Sequence, residues 1–437
     1  MNCAARRARG PDVAAAKRFS IVNLGCKVNR VESDAFAALL ESRGWAAASL
    51  ADASLVVVNT CAVTGEAEKK TRKAVRHALR ESGDALVVVT GCAAALKAAE
   101  YEALDRRVRV VAKQGVEMFL AEAAGSAPRE ADVGLSQQEA ALPIGPGYPT
   151  RVGVKVQDGC NHACTYCIVH VARGKATSRP AREVVDECVA LARAGVAEIV
   201  LTGINLGSYD DSGLRLAGLL EAILGAFDAL DPPASACRLR VSSVEPMDVD
   251  DDFIALLADS AGRICRHLHL PLQSGSTRVL REMDRPYTAE DFVGLVQRLR
   301  AAVPTLSLGT DVIVGFPGET EADFAATCDV ARACRFSKIH VFPYSRRAGT
   351  PAADRTDQID PTVKSDRARR LRELGKQLRE EDWASRRGSL EAAVVEEAGI
   401  AMTESHYAVR APHNAQAGDV LAVSLERAVL AEGEQQE

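Results

Sequence analysis

Three cysteines lie within eight residues of one another, directly after a segment that favours a β-strand. They are Cys160, Cys164 and Cys167, and the strand segment is Val152 to Val156. Three thiolates at this spacing can each bind one iron of a cubane cluster, which leaves a fourth iron without a protein ligand. A zinc site normally closes with four ligands, and no fourth cysteine follows nearby. The motif therefore predicts a [4Fe–4S] cluster on a loop that follows a strand.

From this strand onward, strand-like and helix-like segments alternate for about six units. The predicted strands are Val152 to Val156, Glu198 to Thr202, Arg238 to Ser242, His267 to Leu270, Leu306 to Val314 and Lys338 to Phe342. Such alternation predicts a parallel sheet covered by helices, here a partial TIM-like (βα)6 barrel in an α/β chain.

Beyond the barrel the sequence predicts a charged helix and then a small all-β barrel. The helix is expected from about Lys364 to Arg387, and the short strands at Leu390 to Val395, His406 to Val409 and Val420 to Leu425. The segment from Trp383 to Glu437 holds four arginines and nine acidic residues, which account for the whole formal charge of −5. The rest of the chain is close to neutral.

The N-terminal segment shows the same alternation and predicts an open parallel sheet with helices. The expected strands are Ser20 to Leu24, Leu55 to Val58, Leu86 to Val89 and Val108 to Val111, and the expected helices include Glu32 to Arg43 and Glu66 to Arg80. A segment rich in proline and glycine, Gly125 to Pro149, then predicts a linker. The expected organisation is a disordered tail (1–16), an N-terminal domain (17–125), a linker (126–150), a barrel core (151–382) and a C-terminal β domain (383–437).

A second set of three cysteines is dispersed through the N-terminal domain. Cys26, Cys61 and Cys92 each follow a predicted parallel strand. Open α/β sheets gather their ligand sites at the carboxyl ends of such strands. A single cysteine at such a place is usually a core residue, but the threefold repetition predicts that these thiols converge.

The remaining cysteines lack such placement and are expected to be structural or incidental. They are Cys3, Cys188, Cys237, Cys265, Cys328 and Cys334. Twelve cysteines without a secretory signal fit a reducing compartment rather than a disulfide scaffold. No apolar run approaches the ~20 residues that a membrane-spanning helix needs, so we expect a cytoplasmic protein without a membrane partner.

With both triplets in place, the chain resembles the methylthiotransferase branch of the radical S-adenosylmethionine superfamily over nearly its full length. Residues 23–29, 58–64, 68–72 and 90–92 resemble the type that acts on N6-threonylcarbamoyladenosine in tRNA. Residues 201–207, 241–246, 269–276 and 311–319 resemble the barrel motifs of the same family. Thr403 to Arg410 resembles a TRAM domain, and His170-Val171 stands where the family usually has Pro-Tyr.

The resemblance implies two [4Fe–4S] clusters and S-adenosylmethionine as cofactors. One cluster would be bound by Cys26, Cys61 and Cys92. The other would be bound by Cys160, Cys164 and Cys167, which would be catalytic because this cluster binds and cleaves S-adenosylmethionine. The implied contacts to this cofactor are made by residues at or just past the strand ends: Thr202, Gly203, Asn205, Ser242, Glu245, Gln273, Ser274, Asp311 and Val314.

The implied function is radical 2-methylthiolation of threonylcarbamoyladenosine at position 37, next to the anticodon of tRNA. The expected partners are that tRNA and an electron donor such as flavodoxin or ferredoxin, and the sulfur donor is unknown. Phosphate contacts are expected from the basic helix after Cys61, at Lys69, Lys70, Arg72, Lys73 and Arg76. A second basic helix, 364–387, interleaves glutamates and equally fits a solvated surface.

Three alternatives stay open at this point. In the first two, the chain is a methylthiotransferase with another substrate, either isopentenyladenosine in tRNA or a ribosomal protein. In the third, the chain is not an enzyme but an iron–sulfur protein that binds RNA or senses redox state.

Overall fold

The structure is a computed structural model that describes residues 17–62, 65–125, 142–397 and 399–425. The predicted tail at 1–16, Cys3 and most of the predicted linker lie outside these residues. Among the described residues, no helix is both long and apolar enough to cross a membrane. The chain divides into two compact units, residues 1–61 with 66–142, and residues 62–65 with 143–437.

The first unit is a parallel sheet with helices, as predicted. Its strands are β1 (Arg18–Asn23), β2 (Ala46–Ala47), β3 (Leu55–Thr60), β4 (Leu86–Gly91) and β5 (Val108–Val110), in the order β2-β1-β3-β4-β5. Its helices are α1 (Lys27–Ser42), α2 (Gly65–Glu81), α3 (Cys92–Leu96), α4 (Ala98–Glu102) and α5 (Val116–Ala123). Every residue of β3 is buried, as expected for a central parallel strand covered on both faces.

The second unit contains six parallel strands that form the barrel and alternate with helices along the chain. They are β6 (Arg151–Lys155), β9 (Glu198–Thr202), β12 (Arg238–Val241), β13 (His267–His269), β14 (Ser307–Val314) and β15 (Lys338–Pro343). β6, β9 and β12 pair in parallel, as do β13, β14 and β15. A parallel bridge between Ser243 and His269 joins the two groups. The prediction of a partial TIM-like (βα)6 barrel is confirmed.

The remaining elements of the barrel are helices and short edge pairings. The helices are α6 (Val169–Arg173), α7 (Ala181–Arg193), α8 (Leu216–Asp228), α9 (Asp251–Asp259), α10 (Thr277–Glu282), α11 (Ala289–Ala302), α12 (Glu321–Cys334), α13 (Pro351–Asp354) and α14 (Pro361–Ser385). The short strands are β7 (Gln157–Asp158), β8 (Thr177–Ser178), β10 (Asp210–Asp211) and β11 (Leu214–Arg215). Cys188 lies in α7 and Cys328 and Cys334 lie in α12, in agreement with their predicted helical positions.

The C-terminal strands form an antiparallel sheet. They are β16 (Leu390–Glu397), β17 (Ile400–Thr403), β18 (Ala408–Arg410) and β19 (Val420–Ser424), in the order β18-β17-β16-β19. The sequence analysis missed β17 and placed His406 in a strand, whereas His406 lies in a turn with a φ of 66°. The segment 400–410 is a tight hairpin, so a short strand and its turn share very few residues from which a pattern can be recognised.

A buried ion-pair network joins the barrel to this sheet. The carboxylate of Glu198 in β9 accepts hydrogen bonds from Arg238 and Arg240 at 2.7 and 2.6 Å. Arg240 also donates to the backbone carbonyls of Thr403 and Glu404, at 3.0 Å each. Arg240 is almost fully buried. Its guanidinium therefore hydrogen-bonds polar groups of the barrel and of the C-terminal sheet away from water.

Candidate functional site

The loop with the first cysteine triplet is held by backbone hydrogen bonds. Cys160 N–H donates to the carbonyl of Gly174, and Cys167 N–H donates to that of Cys164. Gly159 precedes the triplet with a φ of +71°, and a Cβ there would overlap the carbonyl of Lys175. Only glycine combines this backbone conformation with so close an approach. The spacing of the three thiols is therefore fixed by the fold of the loop itself.

The three thiols of this loop affect one another electrostatically. The pKa of Cys167 is raised to about 11, chiefly by burial and in smaller part by the neighbouring Cys164 and Cys160 sulfurs. Burial also raises the pKa of Cys160, and Cys164 adds to that effect. Both shifts favour the protonated thiol, so iron binding at Cys160 and Cys167 must displace a proton from each.

Hydrogen-bond donors already point at these sulfurs. The backbone N–H of His162 donates to Cys160 Sγ and that of Val169 to Cys167 Sγ, both at 3.4 Å. Donors of this kind stabilise the charge of cluster thiolates. The three sulfurs and their donors therefore fit a [4Fe–4S] cluster.

Arg285 supplies the donor to the third sulfur, and the sequence analysis missed it. Its Nη1 lies 3.4 Å from Cys164 Sγ, and its guanidinium forms an ion pair with Glu245. The Nε of Arg285 donates to the hydroxyl of Tyr287 at 3.1 Å, and that hydroxyl donates to the carbonyl of Pro271 at 2.9 Å. Arg285 lies more than one hundred residues from Cys164 in the chain, in a segment without a spacing signal.

His170 lies beside the same loop. Together with Cys160, Asn161, Gly174 and Lys175 it lines a cavity of about 580 Å³. Its Nδ1 is buried and makes no hydrogen bond within the described residues. A cavity with a buried unpaired nitrogen beside the cluster loop fits a bound polar ligand.

The second triplet lies at the carboxyl ends of adjacent strands. Asn23 of β1 pairs with Asn59 of β3, which in turn pairs with Thr90 of β4. Cys26, Cys61 and Cys92 follow these strands at one edge of the sheet, in the arrangement expected from the sequence. A Cβ on Gly25 would lie 3.0 Å from the Cβ of Cys61, so the first two loops are in close contact.

Asparagines lock these two loops together. Asn29 Nδ2 donates to Asn59 Oδ1 at 3.2 Å and to the carbonyl of Thr60 at 2.9 Å. Asn59 Nδ2 donates back to the carbonyl of Asn29 at 3.0 Å. Cys26 is the N-cap of α1, and its Sγ lies 3.6 Å from Asn29 Oδ1. The donor set of three sulfurs at one sheet edge fits a second cluster.

The residues expected to contact S-adenosylmethionine fall into different environments. Thr202 and Ser242 are buried neighbours whose hydroxyl oxygens lie 3.5 Å apart. Asn205 N–H donates to Gln157 Oε1 at 2.9 Å, and a Cβ on Gly203 would crowd the same Gln157 side chain. Thr202 is the last residue of β9, Gly203 and Asn205 follow it, and Ser242 and Glu245 follow β12.

Of the others, Gln273 and Ser274 follow β13, whereas Asp311 and Val314 lie in β14. Gln273 N–H donates to the carbonyl of Asp311 at 2.8 Å, and the Asp311 carboxylate lies 3.0 Å from His269 Nε2. Ser274 is fully buried, and its hydroxyl lies 3.4 Å from that of Thr327 in α12. Val314 is fully buried as well.

The basic helix α2 presents most of its cations on one face. Lys69, Arg72, Lys73, Arg76 and Arg80 line one shallow surface cavity of about 400 Å³. Arg72 forms ion pairs with Glu68 and Glu100, whereas Lys69, Lys73 and Arg76 form none with any described residue. Lys70 is exposed but does not line this cavity. We call the residues that line it the α2 basic face.

The arginines of the second basic helix, α14, are mostly engaged in ion pairs. Arg367 is buried and paired with Glu319 at 2.6 Å. Arg369 pairs with Asp366 and Glu373, and Arg370 pairs with Glu321. These contacts favour the interpretation of α14 as a packed and solvated helix.

Comparisons with known proteins agree with this geometry. Residues 154–331 match the model of the Radical SAM superfamily, and residues 18–113 match the model described as Uncharacterized protein family UPF0004. The radical S-adenosylmethionine methyltransferase TsrM from Kitasatospora setae superposes with a TM-score of 0.55 at 18% identity, over 77% of each chain. At that identity the likeness shows the fold alone.

Two kinds of tRNA-modifying enzyme are similar over most of the chain. Threonylcarbamoyladenosine tRNA methylthiotransferase MtaB of Bacillus subtilis is 38% identical over 381 residues, which cover 82% of this chain and 80% of the relative. A tRNA-2-methylthio-N(6)-dimethylallyladenosine synthase of Mycobacterium ulcerans is 38% identical over 385 residues, covering 83% and 70%. Membership of the radical SAM superfamily implies a [4Fe–4S] cluster and S-adenosylmethionine. On these grounds the chain belongs to the tRNA methylthiotransferase family of radical S-adenosylmethionine enzymes.

Proposed function

We propose that this chain attaches a methylthio group to C2 of N6-threonylcarbamoyladenosine at position 37 of tRNA. The observation that carries the proposal is the presence of two separate cysteine triplets, one on the loop that follows β6 and β7 and the other beyond the carboxyl ends of β1, β3 and β4. The substrate choice is supported by the sequence around Cys26, Cys61 and Cys92 and by the similarity to the Bacillus subtilis enzyme.

Cys160, Cys164 and Cys167 would hold the cluster that binds S-adenosylmethionine. When bound, the cluster supplies the electron that cleaves this cofactor, which opens radical chemistry at an unactivated aromatic carbon. Arg285 holds Glu245 and donates to Cys164, so it fixes the charge beside the cluster. Thr202, Gly203, Asn205 and Ser242 offer polar groups and close backbone approach at the strand ends, where barrel active sites are built.

Cys26, Cys61 and Cys92 would hold the auxiliary cluster. A second cluster there supplies an attachment point for the transferred sulfur. The side chains of Asn29 and Asn59 keep the first two ligand loops in register, and burial of Cys61 and Cys92 shields two of the three sulfurs from water and oxidants.

The α2 basic face would bind phosphates of the tRNA backbone. Its residues recur every three or four positions and therefore form a stripe along one side of the helix. Each phosphate that is neutralised releases counterions, so such binding weakens steeply with salt.

The test of this surface is a charge reversal. Lys69→Glu, Lys73→Glu and Arg76→Glu together should weaken tRNA binding and lower the slope of log affinity against log salt by about 3. The matched control reverses Arg182, Arg193 and Arg298, which are exposed on α7 and α11. Equal affinity of the first variant and wild type would refute the assignment.

The reaction is tested with the anaerobically reconstituted protein, a reductant such as reduced flavodoxin or ferredoxin, S-adenosylmethionine and tRNA. Two tRNA preparations are compared, one with threonylcarbamoyladenosine and one with isopentenyladenosine, and nucleosides are analysed by mass spectrometry. We expect the 2-methylthio product only with the first. If the product formed only with the second tRNA, the substrate would be isopentenyladenosine instead. If a protein with both clusters did not cleave S-adenosylmethionine, the chain would be a non-catalytic RNA-binding or redox-sensing protein.

A further inference from the structure

Two histidines and an aspartate meet on three adjacent strands of the barrel. His269 belongs to β13, Asp311 to β14 and His340 to β15. Asp311 pairs directly with His340, and His269 pairs with Gly309, which is two residues before Asp311. Residues two apart on a strand share a face, so the sheet register brings all three side chains to one face.

That face is the inner side of the barrel. On β15, Ile339 packs against α14, where a Cβ on Gly375 would lie 3.4 Å from it. Because successive residues alternate, His340 points to the opposite side, away from the helix. On β14, Thr310 and Val312 are fully buried, whereas Asp311 between them is partly exposed. All three side chains are only partly buried on this inner face of the barrel.

The three side chains have the spacing of a metal site. His269 Nε2 lies 3.0 Å from Asp311 Oδ1, and the ring centroids of His269 and His340 are 5.5 Å apart. One nitrogen or oxygen from each of the three residues lies within 4.8 Å of the others. Ligand atoms bound to one ion at about 2.0–2.2 Å lie about 3–3.5 Å apart. The His269–Asp311 pair already has that spacing, and rotation of His340 toward the pair completes the set.

Gly309 makes room for this arrangement. A Cβ at Gly309 would lie 2.9 Å from His269 Nδ1, so any larger residue would push the imidazole away from Asp311. The His269 side chain is 17% exposed and the Asp311 side chain 30%, which leaves the ligand atoms accessible. Within the described part of the chain, the Asp311 carboxylate forms an ion pair with His269 but none with a lysine or arginine.

We propose that His269, Asp311 and His340 form a binding site for one divalent transition-metal ion, separate from both cysteine triplets. Two imidazoles and one carboxylate favour ions such as Zn²⁺ or Fe²⁺ over Mg²⁺ and Ca²⁺, which prefer oxygen ligands. Three protein ligands leave coordination positions open toward the inside of the barrel, as in catalytic metal sites. An oxygen or nitrogen atom of a ligand in the barrel would bind at those positions. The proposal does not depend on which tRNA is modified.

Zinc is the probe of choice because it is not a constituent of the iron–sulfur clusters. The protein is first loaded anaerobically with iron and sulfide so that the cluster cysteines are occupied. It is then titrated with Zn²⁺, and zinc, iron and sulfide are counted after desalting. We expect one zinc per chain in the wild type with no loss of iron.

The variants separate the proposed site from adventitious binding. His340→Ala and Asp311→Asn should each weaken zinc binding by more than about tenfold, whereas His413→Ala, in the C-terminal part of the chain, should bind zinc like the wild type. Asp311→Asn keeps the side-chain volume, and its iron content and melting temperature report whether the barrel is intact. X-ray absorption at the zinc edge should show nitrogen and oxygen ligands only.

Two outcomes would overturn the proposal. Equal zinc affinity in wild type and both site variants, or sulfur atoms around the zinc, would place the ion elsewhere. No zinc binding by the clustered wild type would reduce the group to a hydrogen-bonded His269–Asp311 pair.

Discussion

The guanidinium of Arg285 lies 3.4 Å from the sulfur of Cys164 and at the same time forms an ion pair with Glu245. Arg285 is buried, so few water molecules screen its charge. Its contact places a fixed cation and a hydrogen-bond donor beside one ligand of the proposed cluster. Both effects stabilise negative charge on the cluster, and reduction adds one negative charge.

Replacement of Arg285 by Met should therefore make the cluster harder to reduce. We expect a more negative midpoint potential in a redox titration followed by electron paramagnetic resonance. Cleavage of S-adenosylmethionine should slow by about 10- to 100-fold, the range typical when a partner of a metal ligand is lost. Arg285→Lys keeps the charge and should recover part of the potential.

The matched control for this variant is Arg298→Met, which removes an exposed arginine on α11 that pairs with Asp251. If Arg285→Met and Arg298→Met have the same midpoint potential as wild type, the contact with Cys164 has no electrostatic role.

Single cysteine variants should separate the two proposed clusters. Cys164→Ser and Cys61→Ser should each lower the iron content of the reconstituted protein by about four atoms per chain, because each removes one ligand of a different cubane cluster. Cys188→Ser changes a fully buried thiol on α7 and should leave the iron content unchanged. Loss of iron in only one of the two ligand variants would mean that only one triplet binds a cluster.

Glu198→Gln should destabilise the barrel. Gln removes the negative charge that compensates Arg238 and Arg240, which leaves these two buried cations without their carboxylate partner. The expected loss is about 3–5 kcal/mol in the free energy of unfolding at pH 7. Urea denaturation followed by circular dichroism measures it. A loss below 1 kcal/mol would show that the network behaves like a surface ion pair.

The pH dependence of that difference has a defined sign. Burial by itself raises the pKa of Glu198, but attraction to and hydrogen bonding with Arg240, with help from Arg151 and Arg238, brings the pKa from 4.5 down to about 2. A lowered pKa in the folded state stabilises the protein above pH 4.5, and this contribution is lost as the pH falls toward 2. The difference between wild type and Glu198→Gln should be constant from pH 7 to pH 5 and shrink below pH 4.5. A difference that grew on acidification would contradict this account.

Gly91→Ala should disturb the loop that carries Cys92. Gly91 has a φ of +93°, and a Cβ there would overlap the backbone carbonyl of Thr60. The combined strain and overlap should cost about 1–3 kcal/mol and lower the occupancy of the auxiliary cluster, measured as iron per chain. Gly83→Ala is the matched control, since Gly83 also has a positive φ but nothing lies within 4 Å of its would-be Cβ. Equal iron content in the two variants would show that Gly91 does not position the ligand.

Much of the fold could be predicted because its signals are local. β9 begins and ends where the sequence analysis placed it, and β3 and β4 each extend two residues further than expected. Strands buried on both faces consist of continuous apolar runs, and the helices between them supply the alternation. Short elements carried no such signal, as β17 shows.

The sequence by itself determined the cysteine loop and the order of strands and helices. The spacing of Cys160, Cys164 and Cys167 is a property of eight consecutive residues, and the placement of Cys26, Cys61 and Cys92 follows from strand ends. Only the tertiary structure decided which distant residues meet there. Arg285 reaches Cys164, and His269, Asp311 and His340 share one face, because the barrel fixes the register of strands that lie far apart in the chain. Such contacts depend on packing across the sheet, which no local pattern of residues specifies.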